Sequence, residues 1–167
     1  MNDIYFTNVV DIGNLYMEHI FYEFENEPIL FLCKDKMDNI YLCLCSDIRY
    51  GQKWFITKCT IDILKKAIEK DVDISSIFLH QKKAIIINMD LQGNENSFEI
   101  DTQNIDPLDL PKKGTYIKCN KAETRNYLTA LENIFMCGNN CVYDTNKKII
   151  YTEDIDTKYI ELYGDAA

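Results

Sequence analysis

The chain has 167 residues, of which 47% are hydrophobic, so it can bury one core and is too apolar to be disordered as a whole. Its 27 acidic residues against 18 Lys and Arg give a formal net charge of −9. That balance argues against direct nucleic-acid binding, which needs a basic surface. No stretch is long enough to span a bilayer and no export signal is visible, so a cytoplasmic protein without membrane contact is predicted.

Four strands are predicted in the first third of the chain. Residues 16–24 alternate with a period of two, residues 29–33 and 40–45 are apolar on both faces, and a fourth strand starts at Trp54. The short connections favour antiparallel neighbours in chain order. A strand that is apolar on both faces is covered on both faces, so helices, a second sheet or a partner subunit are expected to cover this meander.

Helices follow the meander. Thr60 is a good N-cap for a helix carrying Ile61, Leu64 and Ile68, and Asp73 can cap a second, short helix. Strands are predicted at residues 84–89 and 97–100, a longer helix at 121–136 and a terminal hairpin at 141–151. The irregular connection at 101–113 is the candidate for an internal boundary within a single domain over residues 1–167.

The predicted fold class is therefore α+β. It consists of an antiparallel β-meander of about four N-terminal strands with helices packed on it, further short strands, and one longer helix in the C-terminal half. The Pro28–Phe31 entry, the Tyr41-Leu42 strand, Trp54 to Ile56 and Asp73 to Ser75 resemble an uncharacterised family of small bacterial α+β domains. The resemblance covers the N-terminal half and implies the fold alone, because that family has no assigned activity.

Seven cysteines without a signal peptide predict reduced thiols rather than a disulfide scaffold. Cys43 and Cys45 share one face of an apolar strand and lack the spacing of a structural zinc site, so buried thiols are predicted. Cys137 and Cys141 flank a Gly-Asn-Asn turn and are expected to be more exposed. Neither a metal nor a cofactor is predicted, and no glycine-rich phosphate loop occurs.

An enzymatic alternative remains open. It is a small hydrolase or transferase that uses Cys137, Cys141 or a carboxylate pair together with His19 or His80. No nucleophile motif accompanies either histidine. His19 is therefore interpreted as a half-buried strand residue, and His80 as a surface residue at the end of a short helix.

The acidic residues are unevenly distributed. Residues 1–50 hold nine acidic residues against three basic ones, and residues 89–110 hold six acidic residues and no basic one. Together with neighbouring aromatic side chains, these tracts are predicted to bind a partner. The candidate partner-binding residues are Glu18, Glu23, Glu25, Glu27, Asp90, Glu95, Glu99, Asp101, Asp106 and Asp109.

The predicted function is that of a non-enzymatic protein-binding inhibitor that occupies a basic surface on another protein. The partner is predicted to be a bacterial defence nuclease, which makes the protein a phage- or mobile-element-encoded, anti-CRISPR-like inhibitor. An immunity protein that neutralises a cognate bacterial toxin is the alternative. A third hypothesis is a homodimer or larger homo-oligomer in which a second copy covers the doubly apolar strands.

Overall fold

The computed structural model describes residues 3–137, without the side chains of residues 134–137. Seven strands in this part of the chain form one sheet whose spatial order equals the chain order. They are β1 (Ile4–Val9), β2 (Gly13–Phe24), β3 (Glu27–Lys34), β4 (Ile40–Asp47), β5 (Gln52–Cys59), β6 (Lys83–Met89) and β7 (Glu95–Asp101). Three helices follow or interrupt them, α1 (Ile61–Ile68), α2 (Ile74–Leu79) and α3 (Lys121–Cys137), with 3-10 turns at Thr102–Asn104 and Pro107–Asp109.

The predicted α+β class is wrong. The described part of the chain is mostly antiparallel β, with seven strands in a nearly closed, barrel-like sheet and few helices. The predicted four-strand meander is only the middle of this sheet. β6 joins it through the pairing of Ile85 with Ile56 on β5, although α1 and α2 lie between the two strands in the chain.

The sheet is nearly closed where β7 lies beside β1. An odd number of strands in a meander makes the first and last strands run parallel, so this seam differs from all the others. Hydrogen bonds to side chains span it: the Thr7 N–H and Oγ1–H donate to Glu95 Oε2 at 3.3 and 3.4 Å, and the Val10 N–H donates to Ser97 Oγ at 2.7 Å. Side-chain oxygens of β7 thus stand where the carbonyls of a regular ladder would be.

Aromatic side chains fill the interior of this sheet. The ring of Phe31 on β3 lies 5.3 Å from that of Trp54 on β5, and the rings of Tyr5 and Phe6 on β1 lie 4.8 and 6.1 Å from Phe31. Phe6, Phe31 and Trp54 are fully buried. Cys43 pairs with Phe31 in the β3–β4 ladder and is buried on the same face, as predicted.

The opposite face of the sheet meets the helices at particular side chains. Phe55 on β5 contacts Phe78 of α2 at 6.4 Å between ring centroids, and His19 on β2 stacks on Tyr127 of α3 at 4.8 Å. Sheet closure therefore covers one face of the doubly apolar strands. The sequence analysis expected helices, a second sheet or a partner subunit to cover this face, and did not predict that the same sheet would curve round to cover it.

Local capping formed the two short helices where the sequence predicts them. Thr60 Oγ1 accepts the Ile63 N–H at 3.2 Å, and Asp73 Oδ1 accepts the Ser76 N–H at 2.8 Å. The other Asp73 oxygen accepts the Gly114 N–H at 2.8 Å, which ties the irregular segment after β7 to α2. Bonds of this kind between a carboxylate and backbone N–H groups are stronger than neutral ones.

The remaining C-terminal predictions concern residues that the structure does not describe. The hairpin at 141–151, Cys141 and the side chain of Cys137 lie outside the described residues. Among the helices within residues 3–137, none is both long and apolar enough to cross a membrane.

Candidate protein-binding surface

Most of the predicted partner-binding acids on strands make contacts within the protein. Glu18 on β2 lies 3.3 Å from Lys34 Nζ, and Glu99 on β7 lies 3.2 Å from Lys83 Nζ. Glu95 accepts the Thr7 N–H across the seam described above. These carboxylates therefore have roles in the sheet that do not require a partner protein.

Asp90, Asp106 and Asp109 organise loops. Asp90 Oδ1 accepts the N–H groups of Gln92 and Asn94, both at 2.9 Å, and Asp106 Oδ1 accepts the Leu108 N–H at 2.9 Å. The hydrogen bonds from Asn94 hold the pKa of Asp90 below its ordinary value. Asp109 pairs with Lys53 Nζ at 2.8 Å. The acidic run of residues 89–110 is thus largely accounted for by turn formation, the seam contact of Glu95, and the ion pairs of Glu99 and Asp109.

The other predicted acids lie elsewhere on the fold. Glu25 and Glu27 are exposed at the β2–β3 turn, Glu23 is half-buried at the end of β2, and Asp101 is exposed at the end of β7. The ten residues are therefore spread over β2, the β2–β3 turn, the start of β3, the β6–β7 turn, β7, and the second 3-10 turn with its N-cap. Their role in partner binding stays a prediction.

A set of exposed apolar side chains was missed by the sequence analysis. On the β4–β5 turn Ile48 is 52% exposed and Tyr50 is 87% exposed, on the β6–β7 turn Leu91 is 77% exposed, and in the second 3-10 turn Leu108 is 92% exposed. Isolated exposed apolar residues are ordinary on protein surfaces. Several on neighbouring loops make a candidate binding surface.

The three loops are neighbours at one end of the sheet. Gly51 of the β4–β5 turn lies so close to the β6–β7 turn that a β-carbon on it would be 2.1 Å from the Met89 carbonyl oxygen. Ser46 Oγ donates to the Asp109 carbonyl at 2.8 Å, and Lys53 binds the Asp109 carboxylate. We call Ile48, Tyr50, Leu91 and Leu108, with the loops that carry them, the loop face.

An aspartate shapes each loop of the loop face in the same way. In each loop the carboxylate accepts the backbone N–H of the residue two positions later. Arg49 donates to Asp47 at 2.9 Å, Gln92 donates to Asp90, and Leu108 donates to Asp106. The Arg49 guanidinium also binds Asp47, and these bonds lower the pKa of Asp47 to about 2. The sequence signal is an apolar residue directly beside such a turn, as in Asp47-Ile48 and Asp90-Leu91.

Of the side chains named in the enzymatic alternative, the structure describes both histidines, and it also describes other cysteines. His19 is buried, and burial lowers its pKa to about 4. His80 is exposed at the C-cap of α2. Burial raises the pKa of Cys45 and of Cys59 to about 12, which suppresses the nucleophilic thiolate.

Within residues 3–137, no three His, Cys, Asp or Glu side chains are grouped so that they could hold a metal ion. Four of the cysteines in this range are buried and reduced, and Cys119 is half-buried and reduced. The thiols therefore act as small apolar side chains in the sheet.

No protein-family model matches the chain, and no curated protein or solved structure matches it either. The resemblance of the N-terminal half to a family of small bacterial domains therefore stays a prediction.

Proposed function

We propose that this protein is a non-enzymatic protein-binding module that occupies a basic surface on another protein through its loop face. The observation that carries the proposal is the group of exposed apolar side chains on three adjoining, aspartate-shaped loops. A folded chain gains nothing from holding Leu91 and Leu108 in water at 77% and 92% exposure. A partner that buries them does gain, because apolar burial drives association.

The magnitude of that gain is suitable for specific binding. Burying one large apolar side chain contributes roughly 1.5–3 kcal/mol, so Tyr50, Leu91 and Leu108 together can contribute roughly 5–9 kcal/mol before the cost of association. The hydrogen bonds from Asp47, Asp90 and Asp106 restrain the loops before binding. A restrained loop loses less conformational entropy when it docks.

The acidic character of the protein supports a basic partner. A net charge of −9 attracts a basic surface at long range, and exposed acids such as Glu25 and Glu27 remain available to it. Enzymes and toxins that bind nucleic acid carry such surfaces. The partner is thus proposed to be a bacterial defence nuclease, with a cognate nuclease-type toxin as the second candidate.

Inhibition assays test the proposal. Candidate defence nucleases and toxins are titrated with the protein, and the affinity of any that is inhibited is measured. The double variant Leu91→Ser/Leu108→Ser is expected to bind at least tenfold more weakly, because it removes two apolar anchors. The matched control is Met37→Ser. Met37 is 72% exposed on the β3–β4 turn, where Asp35 accepts its N–H at 2.8 Å, and that turn is at the opposite end of the meander.

Equal losses in the two variants would show that the loop face has no special role. Undiminished binding of the double variant would reject the proposal outright. The electrostatic part is tested separately with Glu25→Gln/Glu27→Gln at low and high salt. Neutralising these exposed carboxylates is expected to slow association at low salt and to have little effect at high salt.

A further inference from the structure

The free edge of β7 is a second surface, and it is separate from the loop face. Within residues 3–137, β6 is the only strand in the backbone ladder of β7. The side-chain bonds to β1 involve Glu95 and Ser97 and go no further along β7. The segment from Phe98 to Asp101 therefore presents an open strand edge within the described part of the chain, about 13 Å long at about 3.3 Å per residue.

An open edge is a template for another strand, and proteins usually protect it. Phe98 is 43% exposed, and Glu99 and Asp101 are exposed as well. This part of the seam is thus accessible to an extended chain.

The charges on β7 indicate what kind of strand fits. All its charged residues are acidic, and residues 89–110 contain no Lys or Arg. Two copies of β7 side by side would bring carboxylates together, which opposes self-pairing. An incoming strand with lysines would instead meet Asp101 and Glu99, the second of which is exposed and also pairs with Lys83 on the β6 side. The alternate apolar residues of that strand would lie beside Phe98 and Ile100 on the other face.

We infer that the Phe98–Asp101 edge of β7 binds an extended basic segment of another protein by strand addition. The segment alternates Lys or Arg with apolar residues. Backbone hydrogen bonds to the edge supply affinity, while the alternating side chains supply selectivity, as in other cases of β-strand addition. If the added strand extended along β7 to Ser97, it would have to displace Val10, which is bonded to the Ser97 side chain. The contact is therefore limited to the segment from Phe98 to Asp101.

A synthetic peptide tests this inference on the full chain. The probe is a fluorescent seven-residue peptide that alternates Lys and Val, and its binding is followed by anisotropy and by amide hydrogen exchange. The expected result is saturable binding with slowed exchange in residues 98–101. A version with N-methyl groups at alternate residues keeps the charges and loses the ladder. It is expected to bind at least tenfold more weakly, as is a version with Glu in place of Lys.

Variants of the protein complete the test. Glu99→Lys/Asp101→Lys is expected to weaken binding of the lysine peptide at least tenfold. Glu25→Lys/Glu27→Lys makes the same change of charge at the β2–β3 turn and is expected to leave the protection of residues 98–101 in place. Equal binding of the N-methylated peptide, absence of binding, or protection elsewhere would each overturn the inference. The Leu91→Ser/Leu108→Ser variant should bind the peptide normally, so failure of the loop face and failure of this edge are distinguishable.

Discussion

Replacing Gly51 with alanine should loosen the contact that places two loops of the loop face side by side. The backbone at Gly51 has φ of +99°, and a β-carbon there would be 2.1 Å from the Met89 carbonyl oxygen. The left-handed backbone alone costs an alanine about 1–2 kcal/mol. The contact is also far shorter than the separation of about 3.5 Å at which atoms pack, and relieving such overlap costs about 1–3 kcal/mol more. A total loss of about 2–5 kcal/mol in the free energy of unfolding is expected.

Gly93 provides a matched control. Its φ of +88° is nearly the same, but a β-carbon on it would have no atom within 4 Å. Gly93→Ala should therefore lose only the backbone contribution of about 1–2 kcal/mol. The difference between the two variants isolates the contact with the β6–β7 turn.

Urea unfolding measures both variants, with the fluorescence of Trp54 as the signal. Trp54 is the sole tryptophan of the chain and is fully buried in the sheet. With a slope of about 2 kcal/mol per M, the midpoint should fall by about 1–2.5 M for Gly51→Ala and by about 0.5–1 M for Gly93→Ala. Equal shifts would refute the claim that the two turns are in close contact.

Two further predictions concern groups buried beside the helices. Because burial lowers the pKa of His19 to about 4, the folded state binds fewer protons than the unfolded chain, whose histidine titrates near 6.5. The contribution of neutral His19 to the free energy of unfolding is complete above pH 6.5 and is lost as the pH falls, so about 2 kcal/mol should disappear between pH 7 and pH 5. His19→Phe should flatten this slope when unfolding by urea is measured across that range. Asp73→Ala removes the acceptor of the Ser76 and Gly114 N–H groups and should cost about 2–4 kcal/mol. Asp73→Ser, which keeps the helix cap, should cost clearly less, and equal losses would show that the link to Gly114 contributes nothing.

Local patterns were sufficient for most individual elements of this fold. The period of two in residues 16–24, the apolar runs of β3 and β4, and the capping residues Thr60 and Asp73 depend on neighbours in the chain. The structure has strands and helices at those positions. β1 was missed because it is irregular: its pairing with β2 shifts register twice, and Asn8 has φ of +50°. Bulges of this kind remove the alternation by which a strand is recognised.

The candidate surfaces show a similar division. The acidic tracts are visible in the sequence. A count of charges does not, however, distinguish a carboxylate that closes a turn from one that faces a partner. Asp90 and Asp106 close turns, and the residues that those turns expose, Leu91 and Leu108, carry the proposed binding energy. Only the contacts of each carboxylate reveal this.

By itself, the sequence determined the places of the middle strands, the helix caps, the burial of Cys43 and Cys45, and the acidic balance. These depend on local periodicity and composition. The tertiary structure alone decided that, within residues 3–137, the meander continues to seven strands, β7 returns beside β1, and one edge of β7 stays open. Pairings such as Thr7 with Glu95 join residues far apart in the chain, and they form because the twist of the sheet brings its ends together, which no local pattern encodes.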